Sequence, residues 1–280
     1  MPTADTSLRD EYAAAVERLA GRTLDALRGA GGAVVLAGPG TAAAPRPLLA
    51  AVRVLGPDLF APQLLGGARP DEQTALLLAE ARHAFPSPIV AATAATSATS
   101  ATATDTLAAP GAPSPPVDED GPAGAALIAA WRDWATGVLL TRTLPSVTTP
   151  GFPGPDPAAP RPEHVPELQP PAWQGWSVRM AQLSALALPG LDGPVHEAAR
   201  ANTLALARGT VRSMLRRDHR VAARLARWLC WTQAQGLPLP LEVEPVLERI
   251  QVVGDGSART ALELAIGEAL LATDGNGARP

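Results

Sequence analysis

The chain has 280 residues, 46% of them hydrophobic and 18% charged, and carries a net charge of −4 at pH 7. That apolar share supplies a buried core and excludes a wholly disordered chain. All 23 basic residues are arginine, so lysine Schiff-base chemistry, pyridoxal phosphate attachment and a Walker-A loop have no lysine to use. The single cysteine, Cys230, excludes an intrachain disulfide and a Cys-rich zinc site.

In chain order, the first predicted element is a helix. Thr6 or Ser7 is placed to cap it, Leu8, Tyr12, Val16 and Leu19 recur at helical spacing, and Gly29 ends it. The run Ala33-Val34-Val35-Leu36-Ala37 reads equally as a strand or a buried half-helix, which leaves an α/β N-terminal part open. Gly38-Pro39-Gly40 after it lacks the third glycine of a dinucleotide loop and reads as a turn. A second helix is expected from Pro47 to the residue before Gly56, and a third from an Asp71 cap to Phe85. Together residues 1–88 form one predicted N-terminal domain.

Residues 89–122 change character to Ala, Thr, Ser and Pro, ending in Asp118-Glu119-Asp120. Such a stretch buries too little apolar area to offset the entropy of ordering, and is expected to be a disordered linker. A C-terminal helical domain is expected over 123–275, opening with the helix of Leu127, Ile128, Trp131 and Val138. A Pro-rich insertion interrupts it at 145–171, where prolines forbid a regular helix. From Trp173 to Thr273 the pattern is almost continuously helical, with Asp218 placed to cap the helix 219–234 and Gly275 as the final C-cap. The expected fold class is mainly α, a bundle or irregular helical array.

Six tryptophans fall into three W-x-x-W pairs: Trp131/Trp134, Trp173/Trp176 and Trp228/Trp231. Residues three apart share a helix face, so each pair makes one aromatic ridge. Its plain role is to anchor an Ala/Leu core; its functional reading is a partner surface or a base-stacking platform.

Between residues 195 and 232 lie eight arginines against two carboxylates, Glu197 and Asp218. Arg208, Arg212, Arg216, Arg220 and Arg224 step by four and make a basic stripe if the helix is continuous, with Leu204, Val211, Leu215, Val221, Leu225 and Trp228 facing the core. The stripe suits an anionic partner; internal pairing with Glu242, Glu244, Glu248, Glu263 and Glu268 is the alternative.

Arg212 and His219 have the spacing R-x6-H. This is similar to the Arg-to-His motif of HEPN-type helical ribonucleases. The resemblance implies an arginine holding a scissile RNA phosphate and a histidine acting as general acid or base. The residue after the arginine is Ser213, where that family carries a more strongly polar residue. Glu80 and His83 form a lone E-x-x-H without the second copy that a di-iron bundle needs, so no metal and no cofactor is expected.

These features lead to the expectation of a non-enzymatic helical adaptor of a bacterial cytoplasm. It would bind a protein partner or a second copy through its Trp faces and Arg-rich helix. The alternative is a nucleic-acid-binding protein using the Arg stripe, with a HEPN-like ribonuclease as its catalytic extreme. The first ten residues show no basic segment leading into an apolar one, and no run of ~18 apolar residues occurs, so a cytoplasmic protein without a membrane span is expected.

Overall fold

The computed structural model describes residues 4–30, 44–68, 72–86, 122–143 and 173–274. The run 33–37, the Gly38-Pro39-Gly40 turn, the Asp71 cap, linker residues 89–121, the insertion 145–171 and Gly275 lie outside the described residues. The described chain forms α1 (Ala4–Leu27), α2 (Arg46–Leu55), a 3-10 segment (Gly56–Phe60) running into the one-turn α3 (Ala61–Leu64), α4 (Glu72–Ala84) and α5 (Pro122–Thr143). There follow α6 (Trp173–Gln182), a 3-10 turn (Ser184–Leu186), α7 (Pro194–Ala201), α8 (Thr203–Leu215), α9 (His219–Gln233), α10 (Val243–Val253) and α11 (Ala258–Asp274). No strand occurs among the described residues, and the protein is mainly α. No described helix is long and apolar enough to cross a membrane.

Local signals account for several boundaries. Pro47 sits in the first turn of α2, where a missing N–H costs nothing, and Gly56 takes φ 51° at its end. Asp218 caps α9 as expected, its Oδ1 accepting the Val221 N–H at 3.1 Å. The α8–α9 junction is a Schellman turn: Arg217 N–H donates to the Met214 carbonyl at 3.0 Å and Asp218 N–H to the Ser213 carbonyl at 2.9 Å. Arg217 itself holds the left-handed position at φ 59°. Two expectations are corrected here. Thr6 and Ser7 lie inside α1 rather than capping it, and the basic stripe does not run along one helix, because the chain turns at residues 216–218.

The core is organised around α9, which packs against α6, α7, α8, α10 and α11. Helix α1 lies across α11 and α2, so the apolar core runs unbroken from Leu19 and Val52 through Phe60, Trp131 and Trp176 to Trp228 and Ile266. Alanine does much of the spacing: Ala20, Ala51, Ala135, Ala198, Ala222 and Ala226 are fully buried. Two glycines permit the closest helix crossings. A Cβ on Gly209 of α8 would sit 2.6 Å from the Ser177 Cβ of α6, and one on Gly267 of α11 would sit 3.1 Å from Cys230 Sγ of α9. The N-terminus of α11 is closed from another part of the chain, since Glu17 Oε2 of α1 accepts the Ala258 N–H at 2.7 Å.

Candidate functional site: an arginine cluster and an outward apolar face

The strongest polar constellation is buried where α9 and α11 meet the 3-10 segment after α2. Arg227 of α9 is fully buried, and its Nη1 donates to Asp58 Oδ1 at 2.7 Å and to Glu263 Oε2 at 2.9 Å. Its Nε donates to the Ala187 carbonyl at 3.2 Å. Glu263 also accepts from Ser184 Oγ at 3.0 Å, and Arg224 Nε lies 3.5 Å from its Oε1. Burial works against the charge on Glu263, but Arg227 and Arg224 outweigh it and hold this carboxyl below its usual range. Asp58 shares the same guanidinium with fewer donors, so burial and then the Glu263 charge push its pKa up. Arg227 stays charged, since its two carboxylates overcome the burial that opposes it.

Around this triad the sign is strongly positive. Arg132 of α5 donates its Nη2 to the Val54 carbonyl, while its Nε is buried without a hydrogen-bond partner. Arg220 Nε and Arg227 Nη2 are in the same condition. Burial lowers the pKa of Arg132, and the positive charge of Arg224 adds to the effect. Arg259 of α11 is pushed down to about 10, first by burial and then by Arg224, Arg220 and Arg132. Next to this group, Arg53 of α2 pairs with Asp133 of α5 (Nη2 to Oδ2, 2.6 Å) and gives its Nε to the Phe85 carbonyl at the end of α4. These bonds lock α2, α4 and α5 together.

The sequence-predicted stripe is therefore divided. Arg208 and Arg216 are exposed on α8 and its end, and Arg212 lies over the Trp173 ring at 5.7 Å. Arg220 and Arg224 are half-buried on α9, with Arg224 Nε 3.5 Å from Glu263 Oε1. The internal-pairing alternative holds for one carboxylate of the five, Glu263; Glu244 instead accepts from Gln233 Nε2 at 3.2 Å. No local signal separates Arg227 from the seven other arginines between residues 195 and 232; its distant partners Asp58 and Glu263 do.

Four of the six tryptophans (131, 176, 228 and 231) are buried in the core; Trp134 and Trp173 are half-buried. Trp131/Trp134 and Trp228/Trp231 pack edge-to-face, with centroids 5.5 and 5.6 Å apart. His196 of α7 packs against both Trp228 and Trp231, and its Nε2 lies 3.0 Å from the Leu186 carbonyl. Because that carbonyl only accepts, Nε2 carries the proton of the neutral ring. Burial lowers the pKa of this imidazole to about 4, which keeps it neutral. Of the HEPN-like pair, His219 is the half-buried first residue of α9 and Arg212 is turned onto Trp173. Cys230 is buried and its thiol pKa is raised by that burial, so it is packing rather than a nucleophile.

Helix α8 is packed the wrong way round. The residues that it buries are Leu206, Ala207, Gly209, Thr210 and Ser213, mostly small or polar. Three of its large apolar residues point outward, although Leu206 points in: Leu204 is 50% exposed, Val211 45% and Leu215 80%. At 3.6 residues per turn these three fall within roughly 40° of one another. The expectation that they face the core is corrected by the close α6–α8 crossing at Gly209, which admits only small side chains. Val178 on the adjoining α6 is 47% exposed as well. Arg208, Arg216 and Arg217 are exposed beside this stripe and make no ion pair with the described residues.

Elsewhere, a groove of about 90 Å³ lies between α10, α11 and Arg28, well below the ~300–1,000 Å³ of typical small-molecule sites. No group of three His, Cys, Asp or Glu among the described residues is placed to hold a metal ion. Compared with known proteins, the chain matches no family model, no curated protein and no solved structure.

Proposed function

We propose that the chain is a non-enzymatic helical adaptor whose docking face is the outward side of α8. The observation that carries this reading is the outward stripe of Leu204, Val211 and Leu215, while Ala207, Gly209, Thr210 and Ser213 face the core beside Leu206. An aligned apolar stripe on a folded surface costs free energy until a partner covers it. Isolated exposed residues such as Leu8, Leu76 and Val252 stand on three other helices and need no such account.

Charge selects the partner. Arg208, Arg216 and Arg217 flank the stripe, so the occupant is an acidic protein segment presenting an apolar face, an amphipathic helix above all. A second copy of α8 docked about a twofold axis would set these arginines against one another, which disfavours self-association through this face. Nucleic acid is the less suitable occupant, because the apolar centre of the stripe offers nothing to phosphates.

The test is affinity capture with the intact chain and with a Leu204→Gln/Leu215→Gln variant, followed by binding measurements on each purified partner. Support is a partner lost from the variant, with an acidic contact segment and an affinity that falls with salt. A variant that keeps the wild-type partners at unchanged affinity removes the reading. So does a bound nucleic acid that salt releases while no protein binds.

A further inference from the structure

We infer that Arg212, braced by Trp173, is the specificity residue of the α8 docking face and grips one carboxylate of the partner helix. The inference rests on the proposed docking reading and names the polar contact that orients the occupant. Three observations carry it.

The first is the contact itself. The Arg212 guanidinium lies over the Trp173 ring, 5.7 Å from its centroid, which ties the last turn of α8 to the first residue of α6. The ring attracts the cation through its π face and supplies no oxygen. Arg212 makes no ion pair with the described residues, so its N–H donors are left for an acceptor from outside.

The second is position. At 3.6 residues per turn, Arg212 stands roughly 60° round α8 from Leu215, at the edge of the apolar stripe. Gly209, which faces Ser177 of α6, lies roughly 60° the other way. Arg212 therefore sits between the α6 crossing and the stripe, where a helix laid on Leu204, Val211 and Leu215 brings its flank.

The third is constraint. Arg212 and Trp173 are both half-buried, whereas Arg208, Arg216 and Arg217 are exposed and lie over no described ring. A guanidinium already held in place gives up less freedom on binding, so it selects geometry. The exposed arginines supply long-range attraction and a faster encounter instead. A carboxylate matches the guanidinium fork with two parallel hydrogen bonds, which a lysine ammonium cannot reproduce. The partner helix accordingly carries an Asp or Glu beside its apolar face, near the C-terminal end of α8.

The experiment is fluorescence anisotropy of a labelled ~16-residue peptide, long enough to cover the stripe, titrated with the full chain. The peptide has leucines on one helical face and glutamates along its flanks; a twin carries glutamine for glutamate. The wild type is expected to prefer the glutamate peptide by about tenfold. Arg212→Lys keeps the charge and the wild-type melting temperature, yet is expected to lose most of that preference; Arg208→Lys keeps it. Adding Trp173→Leu to Arg212→Lys is expected to change the preference no further, because ring and guanidinium act as one unit. A structural arginine would move the melting temperature and leave the ratio between the two peptides alone. Binding that Leu204→Gln/Leu215→Gln abolishes but Arg212→Lys leaves unchanged overturns this inference and spares the docking face. A wild type that binds neither peptide overturns both.

Discussion

Arg227 and Asp58 are 169 positions apart in the sequence, and their side chains meet at 2.7 Å in the core. The contact joins the 3-10 segment after α2 to the central helix α9, and Glu263 extends it to α11. The bond acts as a clasp between the N-terminal and C-terminal helices. Replacing Arg227 by Met keeps most of the volume but leaves two buried carboxyl groups facing each other. The expected cost is about 3–5 kcal/mol, as for other broken buried ion pairs. Urea denaturation measures it, and a loss below ~1 kcal/mol would show that the clasp is dispensable. Adding Asp58→Asn and Glu263→Gln to Arg227→Met is expected to recover part of the loss, since the two buried carboxyl groups then no longer repel each other.

Gly209 sets the distance between α6 and α8. An alanine there gains up to ~1 kcal/mol of helix propensity, but its methyl would lie 2.6 Å from Ser177 Cβ and 3.0 Å from Leu225 Cδ1. Ser177 Cβ is fixed to its own backbone and Leu225 is packed in the core, so the helices must separate. A net loss of roughly 1–3 kcal/mol is expected for Gly209→Ala. Ser177→Gly in the same chain removes one of the two obstructing groups and is expected to restore a measurable part of the midpoint. If Gly209→Ala melts like the wild type, the crossing is looser than its geometry implies.

Local signals made the helices legible from the residues alone. Pro47, Gly56 and Asp218 mark boundaries through backbone chemistry that acts within a turn or two. The Trp ridges were legible as core anchors for the same reason, since three-residue spacing fixes a shared face. The arginine cluster was not legible, because its meaning depends on contacts between α9, α11, α5 and the Asp58 segment, far apart in sequence. Arg227 looks like its neighbours until Asp58 and Glu263 are beside it. Helix α8 misled for a related reason. Hydrophobic periodicity assigns the face with Leu204 and Leu215 to the core, yet a glycine crossing with α6 claims the opposite face.

The turn between α8 and α9 leaves Arg217 in the left-handed region at φ 59°. A side chain with a Cβ pays there for a geometry that glycine adopts freely. Arg217 is exposed and makes no ion pair with the described residues, so little is lost with its side chain. Arg217→Gly is therefore expected to raise stability by about 0.5–1 kcal/mol, and Arg217→Val to lower it. Equal midpoints for the Gly and Val variants in denaturant would contradict the assignment of this Schellman turn.

His196 makes stability depend on pH in a predictable direction. Its pKa is about 4 in the folded protein and 6.5 for the free side chain, so folding favours the neutral ring. Both states are neutral above pH 6.5, and the penalty is absent there. As pH falls from 6.5 toward 4, the unfolded chain takes up a proton that the folded ring refuses, and stability declines. Below about pH 4 the loss levels off. At 1.36 kcal/mol per pH unit the full effect is roughly 3 kcal/mol. Charged neighbours of this ring are Asp192 and Arg200, which pair with each other at 2.9 Å. His196→Gln keeps a donor for the Leu186 carbonyl but cannot titrate, so the difference between wild type and variant isolates the imidazole. Melting temperatures from pH 4 to 7 should show the wild type losing ground to the variant as acid is added. Parallel curves for the two proteins would mean that this ring is protonated as readily in the fold as outside it.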